Sequence, residues 1–180
     1  MMLRRPLVIG AVALISLDAS AAKGPYVSWM QDPEVRRYLE SRFIRYSEKN
    51  LAEFIRSSNE APNILLAGVF LDGRHVGNIK LNVDAHHKRG EMGILIGERE
   101  VWGRGVARQA IGLLADHAFN ELGVIKLSAG CYGPNLGSIM AFKAAGFHIE
   151  AIRPGHYICD GQSVDGIYLA RFASGREARP

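Results

Sequence analysis

The chain has 180 residues, of which 48% are hydrophobic and 22% charged, with a formal net charge of +4. That make-up suits one globular domain with a substantial core and excludes a disordered or low-complexity chain. The basic residues are dispersed, so no clustered face points to nucleic acid, although a mild preference for an anionic ligand remains. Cys131 and Cys159 fall in predicted strands and are read as free thiols, since two cysteines make no stapled framework. The six histidines lack metal-ligand spacing, and adjacent His86 and His87 would face opposite ways in a strand, so no metal is expected.

Arg4 and Arg5 precede an apolar run, Leu7 to Leu17, and Ala19-Ser20-Ala21 follows. This is the outline of a secretory leader. The competing reading makes Leu7 to Leu17 the first strand, broken at Gly10, with Asp18 opening the next helix. The run is well short of the ~20 residues that a membrane helix needs. Helical character then extends from Ala19 to Leu39, split at Asp32-Pro33, where Asp32 caps, Pro33 takes the first helical position and Glu34 the first turn. A further helix covers Ser47 to Arg56, with Leu51, Phe54 and Ile55 on one face, and stops at Ala61-Pro62.

Ile64 to Leu71 and His75 to Val83 read as two strands joined by Asp72-Gly73, a hairpin signal. In the second of them Val76, Ile79, Leu81 and Val83 alternate with Asn78, Lys80 and Asn82, which implies one buried face. Glu91 to Ile96 is a strand, and Gly97 to Gly105 a glycine-bearing turn. A helix over Arg104 to Asn120 follows, with Ala107, Ala110, Ile111, Leu114 and Ala118 on one face, closed by Leu122-Gly123. Val124 to Cys131 returns as a strand, which predicts a parallel pair. Asn135 caps a helix running to about Ala145. Phe147 to Arg153 and Val164 to Phe172 are the last strands, linked by a long connection containing Asp160-Gly161, and residues 173–180 form a charged tail.

A strand, a glycine-rich turn and a helix start make a site for phosphate. The first helical turn carries unpaired N–H groups and the positive end of the helix dipole. Gly103 and Gly105 accept backbone angles that other residues resist and keep no side chain between a phosphate and those amides; small Ala107 leaves the first turn open, and Arg104 and Arg108 add positive charge.

Trp102-Gly103-Arg104-Gly105-Val106-Ala107 resembles the Q/R-x-x-G-x-G/A pattern of the GNAT acetyltransferases, with Trp102 in place of the first Gln or Arg. The stretch Asn135 to Phe147 is similar to the second hallmark of that family, N-x-x-S followed by a K-x-G-F-like ending, and Tyr26 to Val35 resembles a W-x-n-D-p-e-V segment of its ribosomal-protein N-terminal and amino-sugar acetyltransferase branch. Two half-signatures in order, about thirty residues apart with a helix and a strand between them, are far more specific than either alone.

The resemblance implies a single α+β domain over residues 1–180 with the GNAT fold: a mixed, mostly antiparallel sheet of about seven strands, a central parallel pair splayed apart, and about four flanking helices. Gly130 and Gly133 would weaken pairing where the splay begins. The resemblance further implies acetyl-CoA as donor substrate and no metal. The donor would be held by Ile94, Leu95, Ile96, Trp102, Gly103, Arg104, Gly105, Val106, Ala107, Asn135, Ser138, Phe142 and Lys143. Trp29, Asn78 and Glu91 are candidates for the acceptor side, although for Trp29 the core reading is the stronger one.

Acetyl transfer needs a neutral amine, a donor for the oxyanion and, for the departing thiolate, a proton. Glu91 is the candidate base, with a solvated strand-edge carboxylate as the alternative; amides of Ile94 to Ile96 are oxyanion candidates. Ser138 is the candidate acid or water-holder, or simply a first-turn serine bonded to Asn135. Many GNAT enzymes carry Tyr seven residues after the Asn; here Phe142 stands there, with Tyr132 and Tyr157 as substitutes. The acceptor is a primary amine on a protein N-terminus or an amino sugar, with no nucleic acid and no membrane, and a homodimer is left open. The rival is a non-catalytic acyl-CoA-binding or sensor module, motivated by Phe142. Because the family has a first strand at this position, and an exported enzyme would be parted from its donor, the cytoplasm is the expected compartment and export the minority reading.

Overall fold

A computed structural model describes residues 1–175 and shows one eight-stranded sheet in the order β1-β2-β3-β4-β5-β6-β8-β7. Its strands are β1 (Leu7–Ile9), β2 (Val12–Ser16), β3 (Ile64–Leu71), β4 (Arg74–Asp84), β5 (Arg89–Ile96), β6 (Lys126–Tyr132), β7 (His148–Cys159) and β8 (Gln162–Phe172). The helices are α1 (Pro25–Trp29), α2 (Pro33–Arg36), α3 (Glu48–Glu60), α4 (Val106–Glu121) and α5 (Leu136–Ala144). Every strand pair is antiparallel except β5 with β6.

The apolar N-terminal run forms two strands where one broken strand was expected. Gly10 takes φ of 56° and turns the chain in two residues, so that Ile9 pairs with Val12. Val12 and Leu14 then bury completely against the main core, while Val8 and Ile9 on the edge strand stay exposed. Asp18 caps a short 3₁₀ turn by accepting the Ser20 N–H at 2.7 Å.

Two cores flank the sheet. On one face α4 and α5 bury Ala110, Ile111, Leu114, Ala118 and Phe142 against Leu65, Ile79, Leu81, Met92 and Leu127. On the other, α1 and α3 bury Tyr26, Trp29, Leu51 and Ile55 against Leu17 and Leu66. Complete burial of a Leu or Ile side chain stabilises by ~1.5–3 kcal/mol, so these layers dominate the stability. In α3, Ser58 takes the inward place expected of Phe54, which is 37% exposed. Ser47 and Asn50 close a capping box at its start. The middle of β4 is covered on both faces, which the alternation alone did not imply: Asn78 on the second face is as buried as the core around it. A bulge at Val76, where Val69 pairs with Gly77 but Phe70 with His75, switches the face, so Val76 joins the first core and His75 the second.

Two Asp-Gly turns with positive φ at both residues close hairpins: Asp72-Gly73 between β3 and β4, and Asp160-Gly161 between β7 and β8. The latter corrects the expected long connection. Pro154, Gly155 and His156 drop out of register in a bulge, but β7 resumes pairing at Tyr157 and runs on to the turn. Pro154 is tolerated because β7 is an edge strand. Helix α4 begins at Val106, so Arg104 lies outside it, between Gly103 and Gly105, both with positive φ. Residues 176–180 of the expected tail lie outside the described residues.

Candidate active site

The turn between β5 and α4 builds one end of the site. Val76 O accepts both the Gly97 and Glu98 N–H groups, which pins the end of β5 to β4. Val101 buries in the core, and the Trp102 indole donates to Ile96 O at 2.8 Å, folding the turn back over the strand end. Gly103 (φ 75°) and Gly105 (φ 77°) then lead into α4 with no side-chain cap. The first bond of the helix runs from Gln109 N–H to Gly105 O. The amides of Gly105, Val106, Ala107 and Arg108 consequently have no partner among the described residues. A Cβ built on Gly103 or Gly105 meets nothing within 4 Å, so this side of the turn is open. Free amides, the dipole of a sixteen-residue helix and open space fit a diphosphate.

From this turn a cleft of about 1400 Å³ passes through the sheet. Strands β5 and β6 pair only from Arg89 with Lys126 to Glu91 with Ser128 and then diverge, leaving the β6-facing edge of Met92 to Ile96 unpaired. The pairing ends two residues before Gly130, which keeps its pairing with Tyr168 on the far side, while Gly133 donates to Asp165 O. The two glycines therefore lie along the open segment and do not mark where the splay starts.

The cleft gathers Ile94, Leu95, Ile96, Trp102, Gly103, Gly105, Val106 and Ala107 from one side, and Asn135, Ser138 and Phe142 from α5. Ala107, expected on the buried stripe of α4, faces this cleft, and Val106 and Ala115 take the core places. Arg104 and Lys143 are exposed and outside the lining, whereas Arg108 is part of it. Trp29 is also outside: it is 4% exposed, its indole donates to Glu98 Oε1 at 2.9 Å, and it lies so close to Gly97 that a Cβ there would sit 2.0 Å from the ring. Asn78 and Glu91 line the cleft.

Glu91, third residue of β5, is exposed and has no ion pair among the described residues. Asn135 Oδ1 caps α5 through Ser138 N–H at 3.2 Å, and Ser138 Oγ lies 3.4 Å from Cys131 Sγ. Burial pushes the Cys131 thiol up, so it stays protonated at neutral pH. Phe142, 2% exposed, packs edge-on to Phe147 at 5.1 Å. Near the same end Tyr132 stacks on Tyr157 with centroids 4.1 Å apart and accepts a hydrogen bond from Arg42 at 2.7 Å, while Tyr157 Oη is 3.3 Å from Tyr168 Oη. Burial and the Tyr168 hydroxyl push the Tyr157 phenol up.

Sequence reasoning missed most of the wall opposite. Tyr26 and Met30 from α1 and its C-cap, Tyr46 from a loop, Phe54 from α3 and Leu66 from β3 meet the β4 and β5 residues Asn78, Lys80, Gly93 and Leu95 there. The alternation of β4 held the only local signal, since it set Asn78 and Lys80 on one face. Among the described residues no helix is long and apolar enough to cross a membrane.

Residues 14–148 match the family described as "Acetyltransferase (GNAT) domain". A probable N-acetyltransferase, YjcK, of Bacillus subtilis (strain 168) is 42% identical over 50 residues, 28% of this chain and 28% of that protein. L-amino acid N-acetyltransferase AaaT of Escherichia coli (strain K12) is 28% identical over 116 residues, covering 62% of this chain and 70% of that protein. The chain thus spans well under half of the Bacillus relative and about two thirds of the other. Among solved structures, RimL, a ribosomal L7/L12 alpha-N-protein acetyltransferase in complex with coenzyme A, superposes with a TM-score of 0.85 at 13% identity, over 96% of this chain and 100% of that one. With the domain match covering three quarters of its length and the splayed sheet and open helix start in place, the chain belongs to the GNAT acetyltransferase family, whose members use acetyl-CoA as acetyl donor.

Proposed function

We propose that this chain transfers the acetyl group of acetyl-CoA to the α-amine of an amino acid or of a protein N-terminus, by direct attack within a ternary complex. The observation that carries the reading is the continuity of the cleft: it joins the open amides before α4, through the gap between β5 and β6, to the opposite face of the sheet. A donor held at the first end would present its thioester to an amine arriving from the second. RimL and AaaT bear α-amine acceptors in their names, which supports that class. The same fold also serves a polyamine in a chimera of the spermidine N-acetyltransferase SpeG, which superposes with a TM-score of 0.78 at 18% identity. An amino-sugar nucleotide is less well served, because Glu34, Glu40 and Glu91 offset Arg37, Lys80 and Arg108 in the lining, and Arg37 is engaged by Asp160.

In this reading Glu91 takes the proton that the α-ammonium must lose before attack, an ammonium with a pKa of about 7.7–8.0 at a protein N-terminus and higher in a free amino acid, where its own carboxylate stabilises the charge. Unpaired β5 amides near Leu95 donate to the oxyanion, and Ser138 holds the proton or water that reaches the departing sulfur. The test is a thiol-release assay over an amine panel with mass spectrometry of the product. Free CoA and an N-acetylated amine, each dependent on both substrates, are expected. Tight acetyl-CoA binding with no CoA released for any amine would favour the non-catalytic acyl-CoA-binding module instead.

A further inference from the structure

The acceptor face of the cleft holds one polar group whose state is unusual. Asn78 is 5% exposed and lines the cleft, and its Nδ2 is a buried donor with no partner among the described residues. A donor left unpaired in a low-dielectric site is costly, so native structures seldom keep one without a use. The other half of the amide is held in place: His75 Nε2 lies 2.9 Å from Asn78 Oδ1. His75 is wedged between Phe70 and Trp29, with ring centroids 4.9 Å from each, and burial lowers its pKa and favours the neutral ring; since an amide oxygen only accepts, it is Nε2 that carries the hydrogen in this arrangement. The imidazole thereby fixes Asn78 with its N–H groups toward the cleft.

The register of the sheet supplies the neighbours. Asn78 pairs with Leu95, Lys80 with Gly93 and Asn82 with Glu91, so these six share one face of the sheet. Lys80, two residues beyond Asn78, has no carboxylate partner among the described residues, and its ammonium lies 6.0 Å from the Phe54 ring. Gly93 between them leaves the floor open, since a Cβ there would meet nothing within 4 Å. Glu91 stands diagonally across from Lys80, a separation of ~7–8 Å between β-strand diagonal neighbours. A fixed donor and a free cation on one side of open space, with a free carboxylate on the other, are complementary to a zwitterion. Tyr26, Met30 and Leu66 add apolar and aromatic wall, while Glu34, Arg37 and Glu40 also belong to the lining, with Arg37 engaged by Asp160.

We infer that Asn78 and Lys80 bind the carboxylate of a free α-amino acid, which turns its amine toward Glu91. The inference rests on the acetyl-transfer reading above and narrows its acceptor from any α-amine to one that carries its own carboxylate. In the step, the ammonium first gives one proton to Glu91 or solvent. The neutral nitrogen then forms the N–C bond as the C–S bond of the thioester breaks. The second proton leaves nitrogen as the thiolate gains one, so that an N-acetyl amino acid and CoA thiol depart.

The experiment compares CoA release with the twenty free L-amino acids and with the corresponding amino-acid amides, in which the carboxylate charge is gone. For the best amino acid, kcat/KM at least tenfold above that of its amide is expected. Lys80→Ala should cut that acid-over-amide ratio at least tenfold, and Lys80→Arg should restore most of it, a pattern that loss of folding would not produce. Asn78→Ser should raise KM for acid and amide alike, because both retain an oxygen for its amide to bind. Amides or peptides used as well as free acids, with the ratio unmoved by Lys80→Ala, overturn the inference while leaving the acetyl-transfer reading intact. Failure of every amine to release CoA, with acetyl-CoA still binding by calorimetry, overturns the acetyl-transfer reading and the inference with it.

Discussion

The two ends of the cleft are made from different materials. The end proposed for the donor is backbone: amides of Gly105 to Arg108 at the start of α4, kept open by glycines and by a tryptophan that folds the turn against Ile96. The end proposed for the acceptor is side chain: Tyr26, Phe54, Leu66, Asn78 and Lys80, brought from separate segments onto one face of the sheet. A main-chain site depends on φ and on the absence of Cβ atoms, and is disabled by whatever fills it. A side-chain site is tuned one residue at a time, and its loss shows first in which amine is accepted.

The sharpest way to break that contrast is Gly105→Glu. It places a carboxylate at the helix start and a Cβ where φ is 77°, and should weaken acetyl-CoA binding at least ~100-fold, about 2.7 kcal/mol. The Cβ itself meets no atom within 4 Å, but an L residue at this φ costs roughly 1–2 kcal/mol of folding stability, so the affinity is measured by calorimetry well below the lowered unfolding midpoint. Next comes Glu91→Gln at the other end, expected to reduce kcat about 100-fold at neutral pH with acetyl-CoA affinity unchanged, since a positioned base contributes ~10²–10⁴. A drop below fivefold would assign Glu91 to solvent.

Gly97→Ala attacks the packing behind the acceptor wall, because its Cβ would lie 2.0 Å from the Trp29 ring, which has no room to retreat. A loss of about 1–3 kcal/mol by denaturant unfolding is expected, as for other overpacked cores. The smallest effect is on pH dependence. Burial lowers the pKa of His75 and His117, so the unfolded chain takes up protons more readily than the folded one. Their contribution to stability is full above the ordinary value of 6.5 and is lost as pH falls from there through the depressed folded values. His75→Phe should flatten that decline in an unfolding series from pH 7.5 to 5.

What the sequence disclosed follows the same division. Gly103, Gly105, Asn135 and Ser138 sit at fixed short spacings because each acts through local backbone, so the open helix start, the cap of α5 and the order of strands around them were legible. Even there the local signal had limits: Arg104 and Lys143 matched the motif but contribute nothing to the cleft, since φ at two glycines and the helix phase turn them outward. Trp29, a candidate for the acceptor side whose stronger reading was core, is indeed packing, and nothing local reveals that Gly97 would be the residue closing against it. The hairpin at Asp160-Gly161 carried the same Asp-Gly signal as Asp72-Gly73 and was obscured by Pro154-Gly155 in the bulge. The acceptor wall was illegible for a plain reason: its members are separated by up to about seventy positions and converge only when β3, β4 and β5 pair.

The most direct measurement of the donor end is a pair of calorimetric titrations, one with acetyl-CoA and one with S-acetylpantetheine, which has the same acyl arm and no diphosphate. If free amides before α4 grip the diphosphate, acetyl-CoA should bind at least ~100-fold more tightly, and Gly105→Glu should abolish most of that difference. Equal affinities for the two compounds, or a difference that survives the substitution, would contradict the account.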